Sequence, residues 1–149
     1  MIVDLHNHTP LCNHAKGSPR EFIEKAIEKK INLFGFSDHA PMKFDEGYRM
    51  TFEQMDGYES LILELKKRYK EEIDIKLAYA VDYITGYVDK RVLDRDVDYL
   101  IGSVHFIDSW GFDNPEFIGE YANKDATETW TEYFRLITEM AKTNAFNIV

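Results

Sequence analysis

Apolar positions along the chain alternate between short continuous runs and longer stretches with helical spacing. In residues 51–69 and 127–142, apolar side chains recur every three or four positions, so each stretch predicts a helix with one buried face. The short runs have the length and composition of β-strands and cover residues 1–5, 32–36, 73–83 and 99–104. Strands that alternate with helices predict an α/β fold with a parallel sheet.

Local sequence signals predict one more helix, and they identify the apolar face of this helix and of the last helix in the chain. Ser18 and Glu21 are spaced as in a capping box, and Pro19 occupies the first helical position, so a helix is predicted to begin there. Its apolar stripe consists of Phe22, Ile23, Ala26 and Ile27. In the last helix, the residues that share one side are Trp130, Phe134, Ile137 and Ala141.

The pattern ends on an unfinished element. Residues 146–149 begin a fifth strand, so the βα units account for only part of a barrel. An open parallel sheet would leave an apolar edge unpaired. We therefore expect one domain over residues 1–149 that is the N-terminal part of a barrel, either truncated or completed by an oligomer or a partner that covers the sheet edge.

Composition narrows the class of partner and the compartment. With 149 residues, 44% of them hydrophobic, the chain is long enough for one globular domain with a core. Its formal net charge of −9 disfavours nucleic acid, and the densest basic stretch, residues 66–70, is followed at once by two glutamates. The chain has a single cysteine and no signal-peptide pattern, which predicts a cytoplasmic protein. It also has no apolar run of about 18 residues, so no membrane span is predicted.

All five histidines fall at or just beyond the C-terminal ends of predicted strands. His6, His8 and His14 follow the first strand, His39 follows the second and His105 the fourth. In βα barrels, active sites assemble at that rim. Because three separate strand ends deliver imidazole to one rim, and imidazole is a common ligand of transition metals, the sequence predicts a metal site there.

The residues around the first two histidines suit chelation. His6 and His8 are two positions apart, so in a continued strand they project from the same face and can reach one ion. Asp4 lies one step deeper on that face, where its carboxylate can accept a ring N–H. Cys12, in the loop before His14, is either a soft ligand or a buried thiol that supports the loop.

The other two strand ends leave more than one interpretation open. Asp38 can orient His39, bind metal or cap the next segment. His105 alone would be typical of a hydrogen-bonded core histidine, but Gly102 permits close backbone approach beneath it. No residue is singled out as the catalytic acid, base or nucleophile.

Four ordered motifs are more specific than any one of these residues. They are residues 4–9 (DLHNHT), 12–15 (CNHA), 36–42 (FSDHAPM) and 102–106 (GSVHF). Together they resemble the polymerase and histidinol phosphatase (PHP) superfamily and, within it, the histidinol-phosphatase branch. The resemblance spans essentially the whole chain.

The resemblance implies a distorted (β/α)7 TIM-like barrel and an enzyme of histidine biosynthesis that converts L-histidinol phosphate and water into L-histidinol and phosphate. It implies a small phosphorylated substrate and up to three divalent metal ions, which would be zinc, manganese or iron. By position, His6 and His8 would hold one metal and His105 would contribute to a second. A third would use His14 and His39.

The chain departs from this family pattern in two places. Where a glutamate would bridge two metals, within residues 78–83 (AYAVDY), the chain has Ala80, whose methyl group cannot ligate. Asp82 lies on the same strand face but about 6 to 7 Å farther along, so a role in orienting a ligand suits it better, as it suits Asp4 and Asp38. The family's remaining ligands would follow Val149. We therefore expect an incomplete three-metal site from these residues alone.

Two alternatives stay open. Another PHP hydrolase, acting on nucleotides or DNA ends, would share the same rim, although the acidic charge disfavours long DNA. A noncatalytic metal-binding module is the second alternative, since Ala80 leaves fewer carboxylates to balance adjacent dications. We favour an inactive or impaired fragment of a real enzyme, because a purely structural role gives no reason to gather imidazoles at the catalytic rim.

Overall fold

The predicted elements follow one another in the predicted order, and a short helix and a two-stranded hairpin that the apolar pattern did not predict lie between them. A computed structural model describes residues 1–149, apart from the side chain of residue 46. The strands are β1 (Val3–Asn7), β2 (Leu33–His39), β3 (Asp74–Asp82), β4 (Tyr99–Ser103), β5 (Phe106–Ile107) and β6 (Trp110–Gly111). The α-helices are α1 (Pro19–Glu28), α2 (Met55–Arg68), α3 (Lys90–Leu93) and α4 (Ala126–Lys142). Within the described residues, no helix has both the length and the apolarity that a membrane crossing requires.

The first four strands form one parallel sheet in chain order, curled into half of a barrel. The predicted fifth strand is represented by a parallel bridge between Ile101 and Ile148, and the Gly102 N–H donates to the Ile148 carbonyl oxygen at 2.8 Å. Strands β5 and β6 pair separately as a short antiparallel hairpin. All four parallel strands therefore end at one rim, and the α/β prediction is confirmed.

The main core lies between the sheet and the helices α1 and α2. Tyr58 and Ile62 of α2 are buried against Phe36 of β2 and Leu77 of β3. The capping box of α1 forms as predicted, because the Ser18 hydroxyl accepts from the Glu21 N–H and the Glu21 carboxylate accepts from the Ser18 N–H. Local sequence thus sets where α1 begins, and apolar burial holds both helices on the sheet.

Helix α4 covers the predicted residues but buries a different side from the one that its aromatic residues suggested. Leu136 and Met140 are buried, whereas Trp130 and Phe134 are 54% and 61% exposed. The aliphatic pair packs in a small cluster that also contains Val104, just beyond β4. Both stripes have helical spacing, so periodicity alone could not tell which of them faces the sheet.

Gly35 lies where β2 passes closest to Tyr99 of β4. An added Cβ would sit 1.9 Å from the Tyr99 hydroxyl oxygen and 3.2 Å from the Leu5 Cα. That hydroxyl donates a 2.6 Å hydrogen bond to the Leu5 carbonyl oxygen, which links β4 to β1 across the inside of the curled sheet. We expect Gly35→Ala to lower the free energy of unfolding by about 2 to 4 kcal/mol in urea titrations, because overpacking and the lost hydrogen bond add.

A matched control lies in α2, where a Cβ on Gly57 would meet no atom within 4 Å. Gly57→Ala should leave stability unchanged or raise it by up to about 1 kcal/mol, since alanine favours a helix interior. Equal losses in the two variants would show that the close approach at Gly35 does not determine its effect.

Candidate metal centre

A cavity of about 580 Å³ opens at the rim where the parallel strands end. Residues from the loop after β2 and from the segment after β4 form its other walls. The histidines that line it are His6, His8, His14, His39 and His105. The structure therefore brings all five candidate ligands to one place.

His39 stands at the centre of this cluster. Its ring centroid lies 4.6 Å from that of His8, 4.9 Å from that of His14 and 5.3 Å from that of His105. His6 joins through His8, at 5.0 Å. Imidazoles at these separations would repel one another if they were protonated, so the cluster favours neutral rings.

Two observations indicate that the ring nitrogens can bind a metal ion. The Nε2 atoms of His6 and His8 are 3.2 Å apart, and two nitrogens bound tetrahedrally to one zinc ion at about 2.0 to 2.1 Å lie about 3.3 to 3.4 Å apart. Nδ1 of His39 is buried and has no hydrogen-bond partner among the described residues. A buried polar atom without a partner is costly, and a bound cation would satisfy it.

Two sets of side chains could share an ion around His39. In the first, ligand atoms of His8, His14 and His39 lie within 4.8 Å of one another. In the second, His39 is joined by Asp82 and His105 within the same limit. The residues present thus suit a centre that is rich in imidazole and poor in carboxylate.

The loop after β1 is shaped by Asp38. The N–H and hydroxyl of Thr9 both donate to the Asp38 carboxylate, which is fully buried. A 3₁₀ turn, Pro10–Cys12, follows, and Asn13 then takes a left-handed conformation with φ 59°. With these contacts, the loop places His14 at the rim where the parallel strands end. In the structure Asp38 anchors this loop, a role outside the three that the sequence left open.

Asp82 holds the ring of His105. Its Oδ1 accepts a hydrogen bond from His105 Nδ1 at 2.6 Å, and its Oδ2 accepts from both terminal nitrogens of Arg49 at 3.1 Å. With Nδ1 engaged in this way, Nε2 of His105 is the nitrogen left for a ligand. Asp82 therefore orients a candidate ligand, and it also lies close enough to share an ion with His39.

Two other predicted positions lie near the cluster without contributing an oxygen to these sets. Ala80 pairs with His39 across the β2–β3 register and is 1% exposed, so its methyl group lies on the same sheet face as that ring. Asp4 accepts a 3.0 Å hydrogen bond from the Asn7 side chain rather than from a histidine ring. The pairing of β1 with β2 is irregular between Asp4 and Asn7.

Three wall residues were missed by the sequence reasoning. Tyr48 stacks on His14 with centroids 5.6 Å apart and donates a 2.9 Å hydrogen bond to Glu116. Asp113 places Oδ2 3.9 Å from His105 Nε2, and Arg49 is almost fully buried beside Asp82. Tyr48 and Arg49 lie in the loop after β2, and Asp113 lies in the segment after β4. Neither segment has a periodic pattern, so the one feature that could have pointed to these residues is that both segments follow strand ends that carry histidine.

Burial sets the charge of the cluster. It lowers the pKa of His39 to about 2 and that of His8 to about 4, with further lowering from neighbouring imidazoles. For His105, burial alone would lower the pKa, but the hydrogen bond and charge of Asp82 outweigh it and the pKa is raised. Neutral imidazole is the form that binds metal, so His8 and His39 are in the metal-binding form at neutral pH.

These pKa shifts lead us to expect that the metal-free chain loses stability as the pH falls below about 6.5. An unfolded histidine titrates near 6.5, whereas the pKa of His39 in the fold is about 2, so in between the unfolded state binds more protons. The stabilisation is complete above pH 6.5 and is lost on acidification. From pH 6.5 to pH 4, His39 alone accounts for a loss of about 3 kcal/mol, measurable by urea unfolding with a chelator present.

His8 acts in the same direction over this range, whereas His105, whose pKa is raised, stabilises the fold at low pH and loses that effect as the pH rises. Replacing His39 with phenylalanine should flatten the pH profile. A wild-type profile that is level between pH 6.5 and pH 4 would contradict the burial of neutral rings.

Comparison with known proteins places this geometry in a family. A model of the PHP domain matches residues 4–147. A Deinococcus radiodurans protein described as a "probable histidinol-phosphatase" is 36% identical over 153 residues, which cover 99% of this chain and 59% of that protein. The histidinol-phosphatase of Bacillus subtilis is 32% identical over 117 residues, covering 70% of this chain and 44% of that protein.

Among solved structures, histidinol phosphate phosphatase from Lactococcus lactis, complexed with zinc, L-histidinol and phosphate, matches with a TM-score of 0.64 and 20% sequence identity. The match covers 72% of this chain and 41% of that one, and it supports the half-barrel fold. The chain thus spans about half the length of the relatives that it matches. Because the domain model covers almost all of its residues, the chain belongs to the PHP domain family.

Proposed function

We propose that this chain carries the metal-binding rim of a divalent-metal-dependent phosphomonoesterase that acts on L-histidinol phosphate, a reaction of histidine biosynthesis. The imidazole cluster centred on His39, whose Nδ1 is buried without a partner among the described residues, is the observation that carries the proposal. The names of the two curated relatives support the substrate. The zinc, histidinol and phosphate of the Lactococcus lactis structure support the cofactor and the ligand class.

We propose zinc, iron or manganese as the metal, held by His6, His8, His14, His39 and His105. Imidazole suits zinc and iron better than manganese, which prefers oxygen ligands as magnesium and calcium do. Since Ala80 offers no oxygen, fewer than the family's three ions should bind tightly to these residues alone. When bound, divalent ions supply an activated water and balance charge on the phosphoryl oxygens.

The chain's own side chains hold the rest of the site in place. Asp82 orients His105, and Arg49 neutralises Asp82. Arg49 donates to Ala40, Asp45 and Asp82 with all of its nitrogens, so it acts as a fixed internal counter-ion rather than as a phosphate clamp. The cavity volume falls within the range of about 300 to 1,000 Å³ that small-molecule sites occupy.

Phosphate release from L-histidinol phosphate by the purified, metal-loaded chain tests the proposal. We expect turnover that is impaired by Ala80 and the incomplete ligand set, lost after chelation and restored by zinc, iron or manganese. His8→Gln should abolish it, and Lys67→Ala, an exposed change on α2, should not. Turnover that survives thorough chelation would contradict the metal dependence.

The same assay separates the alternatives when nucleotides and a 3′-mismatched primer are included as substrates. Preference for either would identify another PHP hydrolase rather than a histidinol-phosphatase. Tight metal binding without turnover of any phosphate ester, even when Ala80→Glu is introduced in a longer chain, would favour a noncatalytic metal-binding module.

A further inference from the structure

Cys12 lies behind His8, on the side of the ring that faces away from His6. Its Sγ is 3.3 Å from His8 Nδ1, while His8 Nε2 is 3.2 Å from His6 Nε2. On its other side, Sγ lies 3.5 Å from Asp38 Oδ1. Cys12 and Asp38 are both 0% exposed. The two ring nitrogens of His8 therefore face different surroundings: a buried thiol and carboxylate on one side, the imidazole cluster on the other.

We propose that Cys12 and Asp38 form a buried hydrogen-bond relay that keeps the proton of His8 on Nδ1 and so leaves its Nε2 lone pair free for a metal ion. The proposal rests on the metal centre of the proposed function. Cys12 and Asp38 are positioning residues in this arrangement, since they act through His8 and do not touch the ion.

The direction of the hydrogen bonds follows from Asp38. Its carboxylate accepts from the Thr9 N–H and from the Thr9 hydroxyl, and an ionised carboxylate can only accept. The thiol has a single proton and two acceptors at 3.5 Å on the side away from His8, Asp38 Oδ1 and the Thr9 carbonyl oxygen, so it donates on that side. Its sulfur lone pair then faces His8, whose Nδ1 must carry a proton to make the 3.3 Å contact favourable.

The opposite direction is less favourable at the Asp38 end, and at the His6 end it would occupy the nitrogen that a metal ion needs. If the thiol donated to His8 Nδ1, its lone pairs would face the Asp38 carboxylate. The ring proton would then lie on Nε2 and point at His6 Nε2, where it would block the pair of nitrogens that suits one ion. A neutral imidazole has one N–H, so the contact at Nδ1 decides which nitrogen can ligate.

Direct ligation by the thiol is the competing interpretation. Ligand atoms of His8, Cys12 and Asp38 lie within 4.8 Å of one another, as a metal site would require. However, Thr9 donors already engage both Asp38 oxygens. Among the described residues, the cavity is lined by His8 but reaches neither Cys12 nor Asp38. An ion in the cavity would therefore meet His8 Nε2, not the sulfur.

Nitrogen-15 NMR of the metal-free chain, labelled at histidine and assigned with His8→Gln, tests the relay directly. We expect His8 to show a protonated Nδ1 and an unprotonated Nε2. Cys12→Ala should shift protonation toward Nε2, whereas Cys12→Ser, which can still donate and accept, should keep the wild-type pattern. Ile23→Val removes one buried methyl group from the α1 core and should leave the His8 signals unchanged.

Zinc competition with a chromophoric chelator provides the second measurement. Loss of a group that orients a metal ligand typically costs about 10- to 100-fold in affinity, so Cys12→Ala should lose that much and Cys12→Ser should stay close to wild type. In the cobalt-substituted chain we expect no thiolate-to-cobalt charge-transfer band.

Three results would overturn the relay: a proton on His8 Nε2 in the wild-type chain, a tautomer unchanged in Cys12→Ala, or a thiolate-to-cobalt band. The wild-type tautomer decides the matter even if Cys12→Ala does not fold. If the chain binds no metal, the proposed function fails, but the tautomer measurement still tests the relay. The two proposals can therefore fail separately.

Discussion

Replacing His39 with phenylalanine should lower the zinc affinity of the chain by at least about 100-fold, while the unfolding free energy of the metal-free protein stays unchanged or rises. His39 contacts three other histidine rings and belongs to both sets of side chains that could share an ion. Its loss should therefore cost more than the about 10- to 100-fold typical of groups that only orient a ligand. Phenylalanine also has an aromatic ring, but it lacks the buried Nδ1, which has no hydrogen-bond partner among the described residues. Removing that nitrogen favours the folded state.

Ser37 offers a matched control two positions earlier on β2. Its hydroxyl is also buried without a partner among the described residues, but it lies outside the candidate ligand sets. Ser37→Ala should leave stability unchanged or higher, as His39→Phe does, and should leave zinc affinity unchanged. Chelator competition and urea unfolding with a chelator present measure the two quantities. Equal zinc affinity in wild type and His39→Phe would remove His39 from the metal centre.

Replacing Arg49 with methionine should lower the free energy of unfolding by about 3 to 5 kcal/mol. Arg49 is 5% exposed and pairs with Asp82, which is 8% exposed, so the change leaves a buried carboxylate without its cation. It also breaks the 2.6 Å contact that ties Asp45 to Arg49. Chemical unfolding of the metal-free chain at pH 7 measures the loss.

An exposed arginine supplies the comparison. Arg135 on α4 contacts Glu132 and Glu139, but its side chain is 46% exposed, so Arg135→Met should cost less than about 1 kcal/mol. Adding Asp82→Asn to Arg49→Met should recover part of the lost stability, since an amide needs no counter-ion. Similar costs for the two arginine changes would show that burial does not decide the strength of the Arg49–Asp82 pair.

Local signals predicted most of the fold. The capping box placed the start of α1 at Pro19, and short apolar runs placed the four parallel strands, because burial on both faces selects such runs. The error in α4 has a physical cause. Its aliphatic and aromatic stripes both repeat with helical spacing, and only packing against the end of β4 selects Leu136 and Met140 over Trp130 and Phe134.

The candidate site was predictable where it depends on strand ends and not where it depends on loops. The five histidines lie at one rim because parallel strands end together, which the sequence order reveals. The wall residues Tyr48 and Asp113 reach the cavity through irregular segments, whose paths no periodic pattern encodes. The sequence left three roles open for Asp38, and its contacts with Thr9 show another one, the anchor of the loop after β1, because Thr9 reaches it from a different strand end.

Anomalous diffraction at the zinc edge, from crystals of the zinc-loaded chain, tests the metal-centre assignment most directly. We expect a peak about 2.0 to 2.1 Å from the Nε2 atoms of both His6 and His8, and a ring nitrogen of His39 bound to this ion or to a second one. Zinc found only outside this cluster, with the five imidazoles merely hydrogen-bonded to one another or to water, would contradict the assignment.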